Sequence, residues 1–219
     1  MSAPVIGFHN LLSLASRERC MINLKKYRIP SFKSRNVPIG SAAVLIPMCR
    51  VNDETSLLYT VRATTLNSHS GQVAFPGGKT EKSESPVETA LRETKEEIGL
   101  CPSKVDIWGC GPAFPGKRNK LMITPVIGCI SDLSADDFQI NEEEVSEVFA
   151  VPIHVLCDAK NQFHTQFSNG FVLPVFVAEE YKIWGITAFM THVFLRSLLP
   201  RDIYRNEWMK KRIILDDTD

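Results

Sequence analysis

The chain has 219 residues, 44% hydrophobic and 23% charged, and its 25 Lys and Arg balance 25 Asp and Glu. That length supports one well-buried domain with a little chain to spare, and the balance excludes a global field that would draw it to nucleic acid or an acidic membrane. No apolar run approaches the ~20 residues that span a bilayer, and six cysteines without C-x-x-C pairs or zinc-spaced His partners read as reduced thiols of an intracellular protein.

Residues 1–35 contain one acid, Glu18, against Arg17, Arg19, Lys25, Lys26, Arg28, Lys33 and Arg35. That composition suits either an organelle transit peptide or an amphipathic helix from Phe8 to Ile22 packed on the domain, and the helix is the expectation carried forward. Its charges follow the apolar residues, unlike those of a secretory signal. Residues 1–36 are therefore set apart as a basic helical extension, 37–200 as the folded domain and 201–219 as a tail.

Ser41 to Met48 is a short apolar run that reads as a buried strand. Asp53-Glu54 then turns the chain into the alternating strand Ser56 to Arg62. Val73 to Phe75 is a brief strand leading into the glycine-rich turn Pro76-Gly77-Gly78. The next helix is spelled out locally. Ser85 is its N-cap, Pro86 its first residue, and Glu88 completes a capping box. Val87, Ala90, Leu91 and Ile98 form its core stripe, and Gly99 stops it.

Further strands are expected at Val105 to Cys110 and Ile123 to Ile130, joined by a basic loop with Lys117, Arg118 and Lys120. The polar stretch Ser134 to Glu144 precedes a strand from Val145 to Val151, and Pro152 to Cys157 begins a short helix. Strands near Phe163 to Phe167 and Val172 to Phe176 flank the turn Ser168-Asn169-Gly170. A second amphipathic helix, Thr187 to Leu199, is stopped by Pro200. Mixed strands between helices predict an α/β fold, an α/β/α sandwich around a mixed sheet.

Glu93, Glu96 and Glu97 are three and four residues apart, so they crowd one side of the first long helix and repel one another. A solvated helix face would explain an acidic run; a hard divalent cation bound by oxygen would explain the crowding. Arg92 points partly away from that face and can reach a loop acid. The wider spacing decides between the readings. Gly78, Glu84, Arg92-Glu93, Glu96-Glu97 and Gly99 with its following Leu100 reproduce the Nudix box, and the chain resembles the Nudix pyrophosphohydrolases. One position departs, with Thr94 where the family has an aliphatic residue, which predicts a packing adjustment.

The segment upstream narrows the resemblance. Leu58, Thr60, Arg62, Gly71, Val73 and Phe75 to Gly78 fit the extra signature of the coenzyme A diphosphatases, a Nudix subfamily, while Tyr59, Ala63 and Asn67 replace its leucine, serine and second arginine. The likeness extends to Asn141–Val145 and to Trp184–Ala188. It implies metal-dependent hydrolysis of the diphosphate of CoA and acyl-CoA to 4′-phosphopantetheine, or its acyl form, and adenosine 3′,5′-bisphosphate.

In that reading Glu93, Glu96, Glu97 and the Gly77 carbonyl hold Mg²⁺ or Mn²⁺. Arg92, Glu93, Glu96 and Glu144 form the catalytic set, with Glu93 or Glu144 as general base and Glu84 supporting the loop or the metal shell. Arg62 contacts phosphate, the alternative being a strand-edge salt bridge. Asn67 cannot supply a bidentate contact, so either its amide donates a hydrogen bond or Lys117, Arg118 or Lys120 takes over; His69 makes a turn hydrogen bond or touches substrate. The rivals are a Nudix hydrolase of another nucleoside diphosphate derivative and a non-catalytic module, although the box carboxylates are intact. The resemblance implies a peroxisomal or mitochondrial protein. Peroxisome is placed first, despite a C-terminus that is not S-K-L.

Overall fold

The computed structural model describes residues 11–29, 39–63, 71–116, 121–131, 133–167 and 170–215. Strands β1 (Gly40–Val51) and β7 (Leu121–Ile130) pair in parallel from Gly40↔Leu121 to Cys49↔Ile130. A parallel pair is buried on both faces, which is why β1 reads as an uninterrupted apolar run. Ala43, Leu45 and Cys49 belong to one core cluster, and Ile46 and Met48 to the other.

The other pairings of this sheet are antiparallel. β2 (Glu54–Arg62) joins β1, and β8 (Val145–Pro152) runs along β2. β5 (Val105–Cys110) closes the far edge on β7. Short strands complete it: β3 (Val73–Ala74) on β2, β4 (Gly77–Lys79) on β1 and β6 (Phe114–Pro115) on β7. The β1–β2 link is a two-residue hairpin in which Asn52 and Asp53 have φ of 49° and 63°. That is the geometry of a right-twisting tight turn, one residue earlier than the expected Asp53-Glu54.

Helix α2 (Pro86–Ile98) covers one face of the sheet, packing through Ala90, Thr94 and Ile98. Its cap is as expected: Ser85 Oγ accepts from the Glu88 N–H, and Glu88 reciprocates on the Ser85 N–H at 2.7 Å. The other face carries α4 (Gly185–Leu198) and, packed on it, α1 (Leu14–Lys26). The result is the expected α/β/α sandwich on a mixed sheet.

Two helices differ from expectation in extent. α1 starts after Ser13, whose hydroxyl accepts from the Ser16 N–H, and it continues to Lys26; residues 1–10 lie outside the described part. Ser16, Cys20 and Leu24 face inward at four-residue spacing. Arg17 donates to the Ile107 carbonyl, and Asn23 to that of Ser197. α4 begins two residues earlier than expected, because Trp184 is extended and acts as its N-cap.

The expected hairpin strands near Phe163 to Phe167 and Val172 to Phe176 are present, but in a separate second sheet with a third strand that was not anticipated. β9 (Gln162–Gln166), β10 (Val172–Ala178) and β11 (Tyr181–Ile183) form an antiparallel meander, with Glu179 at φ 54° in the last turn. Between β8 and β9 lies the short helix α3 (Ile153–Cys157). The chain beyond Pro200 is held to α4: His192 Nδ1 lies 2.9 Å from the Tyr204 hydroxyl and accepts from Trp208 Nε1. Burial holds that imidazole down to about 4, in its neutral form. Among the described residues, no helix is long and apolar enough to cross a membrane.

Gly99 ends α2 at φ 77°, and a Cβ there would lie 2.6 Å from the Gln139 backbone nitrogen. The Gln139 N–H in turn donates to the Ile98 carbonyl, which ties the helix end to the segment leading into β8. Gly99→Ala is expected to lower stability by about 2 kcal/mol, read as a lower urea midpoint at unchanged slope.

Candidate active site

Four segments converge on one acidic cluster: α2, β4, the end of β2 and the turn before β8. Antiparallel pairing of Val44 with Gly77 and a hydrogen bond from the Leu45 N–H to the Pro76 carbonyl fix the glycine segment on β1. The expected turn at Pro76-Gly77-Gly78 is thus partly strand. Gly77 then donates its N–H to Glu97 Oε2 at 3.0 Å. Gly78 has no room for a side chain, since a Cβ would stand 2.4 Å from Glu93 Oε2.

The three box carboxylates are not equivalent. Glu97 lies on the core stripe of α2 with its side chain 3% exposed, whereas that of Glu96 is 53% exposed. Glu93 is between them in burial. Desolvation is the largest influence on Glu97 and pushes its carboxyl up to about 7; the Gly77 N–H and Arg62 oppose this, while Glu93 and Glu144 add to it. Glu93 is raised as well, first by desolvation and then by Glu96 and Glu144, against the pull of Arg92.

Arg92 reaches further than its position in the sequence indicated. Its Nε donates to Glu84 Oε1 at 2.7 Å, one terminal nitrogen to Glu93 at 3.0 Å and Glu96 at 2.8 Å, and the other to Glu84 and the Lys79 carbonyl. A planar guanidinium has donors for all of these at once. Glu84 also accepts from the Glu81 N–H and the Thr89 hydroxyl, so hydrogen bonding, from Arg92 above all, holds its carboxyl down to about 2. Thr89 carried no sequence signal for this role.

On the opposite side Arg62 approaches Glu97 Oε1 at 3.6 Å. Glu144 comes in from the turn before β8, where Asn141 Nδ2 donates to its Oε1 at 3.2 Å and the Ala63 N–H to its carbonyl. Asn141 is itself anchored through its N–H to the Glu97 carbonyl. The turn that carries Glu144 is therefore fastened to the helix that carries the box. Thr94 is buried, and its hydroxyl donates to the Ala90 carbonyl at 2.6 Å, so it fills the aliphatic position with its polar atom satisfied. Asn67, His69, Lys117 and Arg118 lie outside the described residues.

Among the described residues, no three Asp, Glu, His or Cys side chains stand ready as a group to hold a metal ion. The three box carboxylates are engaged separately, a split that spacing does not show: Arg92 holds Glu93 and Glu96, and Glu97 turns inward to Gly77 and Arg62. The donor set nonetheless fits a hard cation. Glu93 and Glu97 are both raised in proton affinity, each with a neighbouring carboxylate among the causes, and an oxygen-seeking divalent ion bound by them relieves that repulsion.

In the metal-free protein the raised Glu97 carboxyl makes the folded state bind more protons than the unfolded one between the ordinary value of 4.5 and about 7. The contribution to stability is therefore fully present below that interval, lost as pH rises through it, and on the order of a few kcal/mol. Glu97→Gln, which mimics the protonated acid, is expected to raise the melting temperature of the metal-free protein at pH 8 and to flatten its change between pH 5 and 7. A variant melting at or below wild type at pH 8 would contradict this.

The sequence pattern of the NUDIX domain matches residues 41–171. The mitochondrial coenzyme A diphosphatase NUDT8 of Homo sapiens is 40% identical over 168 residues, which cover 74% of this chain and 70% of that protein. Its Mus musculus counterpart of the same name is 38% identical over 196 residues, covering 86% and 90%. Nudix hydrolase 3 of Caenorhabditis elegans is 34% identical over 220 residues, covering 90% of each. Since the matched span runs from β1 past β9 and encloses the whole carboxylate cluster, the chain belongs to the NUDIX family.

Proposed function

We propose that this chain hydrolyses the diphosphate of CoA and acyl-CoA, yielding 4′-phosphopantetheine or its acyl form and adenosine 3′,5′-bisphosphate. One observation carries the reading. Arg62, from the upstream signature, meets Glu97, from the Nudix box, at 3.6 Å. Two motifs that are separate in sequence thus form a single site. The 38–40% identity to proteins named coenzyme A diphosphatase supports the same substrate.

Glu93, Glu96 and Glu97, with the Gly77 carbonyl, would hold Mg²⁺ or Mn²⁺. When bound, such an ion neutralises diphosphate oxygens and lowers the pKa of a coordinated water. The remaining steps fall to the chain's own groups. Arg62 exchanges its Glu97 partner for a phosphate oxygen, and Arg92 keeps Glu93 in place. Glu144 is engaged by one amide hydrogen bond, while Glu93 is held by a guanidinium, so Glu144 is better placed to take the proton of the attacking water. That water's oxygen joins one phosphorus as the bridging P–O bond breaks, and each product leaves with one phosphate of the former diphosphate, the nucleotide keeping its 3′-phosphate as well.

The two NUDT8 relatives are named as mitochondrial, and this supports the mitochondrial alternative over the peroxisome placed first above. A fluorescent fusion at the C-terminus is expected to overlap a mitochondrial marker; overlap with a peroxisomal marker instead would reverse the order again.

For the chemistry, the protein is expected to cleave CoA or acetyl-CoA in the presence of Mg²⁺ or Mn²⁺, with products identified by mass. Turnover of ADP-ribose or a diadenosine polyphosphate without any CoA species would sink the substrate assignment. Glu97→Gln is expected to lose at least two orders of magnitude in kcat at an intact fold. Glu144→Gln is expected to lower kcat at saturating metal while leaving metal affinity near wild type.

A further inference from the structure

Glu144 stands just before β8, so no ladder pairing aims its side chain. The strand itself starts with a bulge. Val61 pairs with Glu147 and Arg62 with Val145, and the skipped Ser146 turns its hydroxyl to the Val61 carbonyl at 3.2 Å. A bulge redirects the chain beside a site, but it does not hold a carboxylate still. Glu144 nonetheless lies close to the box, since its charge adds to the proton affinity of both Glu93 and Glu97.

Asn141 makes the connection. Its N–H donates to the Glu97 carbonyl at 2.9 Å, and its own carbonyl accepts from the N–H groups of Glu144 and Val145 at 3.0 and 2.9 Å. Its Oδ1 accepts from the Glu143 N–H, and its Nδ2 donates to Glu144 Oε1, both at 3.2 Å. The orientation of the amide follows from this set. A backbone N–H can only donate, so Oδ1 faces Glu143 and the NH₂ group is left toward the carboxylate.

The Glu97 carbonyl is one of the last four of α2, which have no partner inside the helix. Asn141 takes it, and the neighbouring Ile98 carbonyl goes to the Gln139 N–H. One residue therefore spans from the peptide group of the buried acid to the Glu144 carboxylate. Among the described residues, the Asn141 amide supplies the hydrogen bond to that carboxylate, on Oε1. An ionised carboxylate only accepts, so an aspartate at this position would keep the turn bond through Oδ1 yet face Glu144 with a second charge.

We propose that Asn141 is a positioning residue for hydrolysis, whose side-chain amide fixes the Glu144 carboxylate so that its other oxygen faces the attacking water. The assignment rests on the reading of Glu144 as the proton acceptor in CoA cleavage. It gives a role to Asn141, which belongs to the signature resemblance but is not one of the clustered carboxylates.

Asn141→Asp and Asn141→Ala are each expected to lower kcat on CoA by about one to two orders of magnitude, with KM and the calorimetric Mn²⁺ affinity changed less than about twofold. Asn141→Asp keeps the bond to Glu143, so its loss is expected at a wild-type circular-dichroism spectrum. In a Glu144→Gln background either change is expected to lower kcat further by less than about twofold, because the group being aimed is already gone. A residue that merely braces the turn would give losses that multiply. Wild-type kcat in both single variants, multiplied losses in the double variants, or a loss confined to KM would overturn the proposal. If the wild-type protein cleaves CoA and the losses multiply, only the positioning role falls. If it cleaves another nucleoside diphosphate derivative and no CoA species, the CoA reading falls, and the same set of variants on that substrate decides the role of Asn141.

Discussion

A carboxylate buried on the core stripe of a helix is the constraint around which the site is organised. Glu97 has lost most of its hydration, and two further acids crowd it. An isolated buried charge is strongly unfavourable, so the surrounding backbone is arranged to offset it. The Gly77 N–H points at one oxygen and the Arg62 guanidinium stands near the other. Neither is positioned by α2 itself. Gly77 is held by its pairing with β1, and Arg62 by the end of β2. The central sheet thus serves as the frame on which a destabilised acid is held.

Arg92 solves the complementary problem on the outer side of the helix. It binds four partners, Glu84, Glu93, Glu96 and the Lys79 carbonyl. A lysine has one point charge and no fixed fork, and it could not span that arrangement. Because Glu84 keeps its charge far below neutral pH, the clamp does not loosen over the range in which Glu97 titrates. The site therefore combines a fixed half, built on Arg92 and Glu84, with a proton-sensitive half built on Glu97.

Legibility in the sequence followed the locality of the interactions. Helix α2 was readable to the residue, because its cap, its stripe and its glycine stop all lie within fifteen positions of one another. The longer strands of the main sheet, β1, β2, β5, β7 and β8, were readable from apolar runs. β11 was not, because three residues beside two glutamates give no periodic signal. β4 was hidden by its glycines, which read as a turn and act as a strand because β1 supplies the partner. At the site, spacing grouped Glu93, Glu96 and Glu97, but their differing environments come from Gly77, Arg62 and Arg92, and that sorting is a tertiary effect. The anchoring of Glu144 through Asn141 to the end of α2 was likewise invisible to local rules.

The parallel pairing of β1 with β7 also governs when activity can first appear during synthesis. β1 is made early, but its longest pairing partner is not complete until Ile130, and the box helix lies in the stretch between them. Such distant pairing makes loop closure a late event. A nascent chain that has just exposed the whole box has neither β7 nor the turn bearing Glu144. A precursor threaded through a membrane in extended form would be equally inert, whatever metal or nucleotide surrounded it. The site can therefore be complete only after the strand that follows Glu144 has been made and paired along β2.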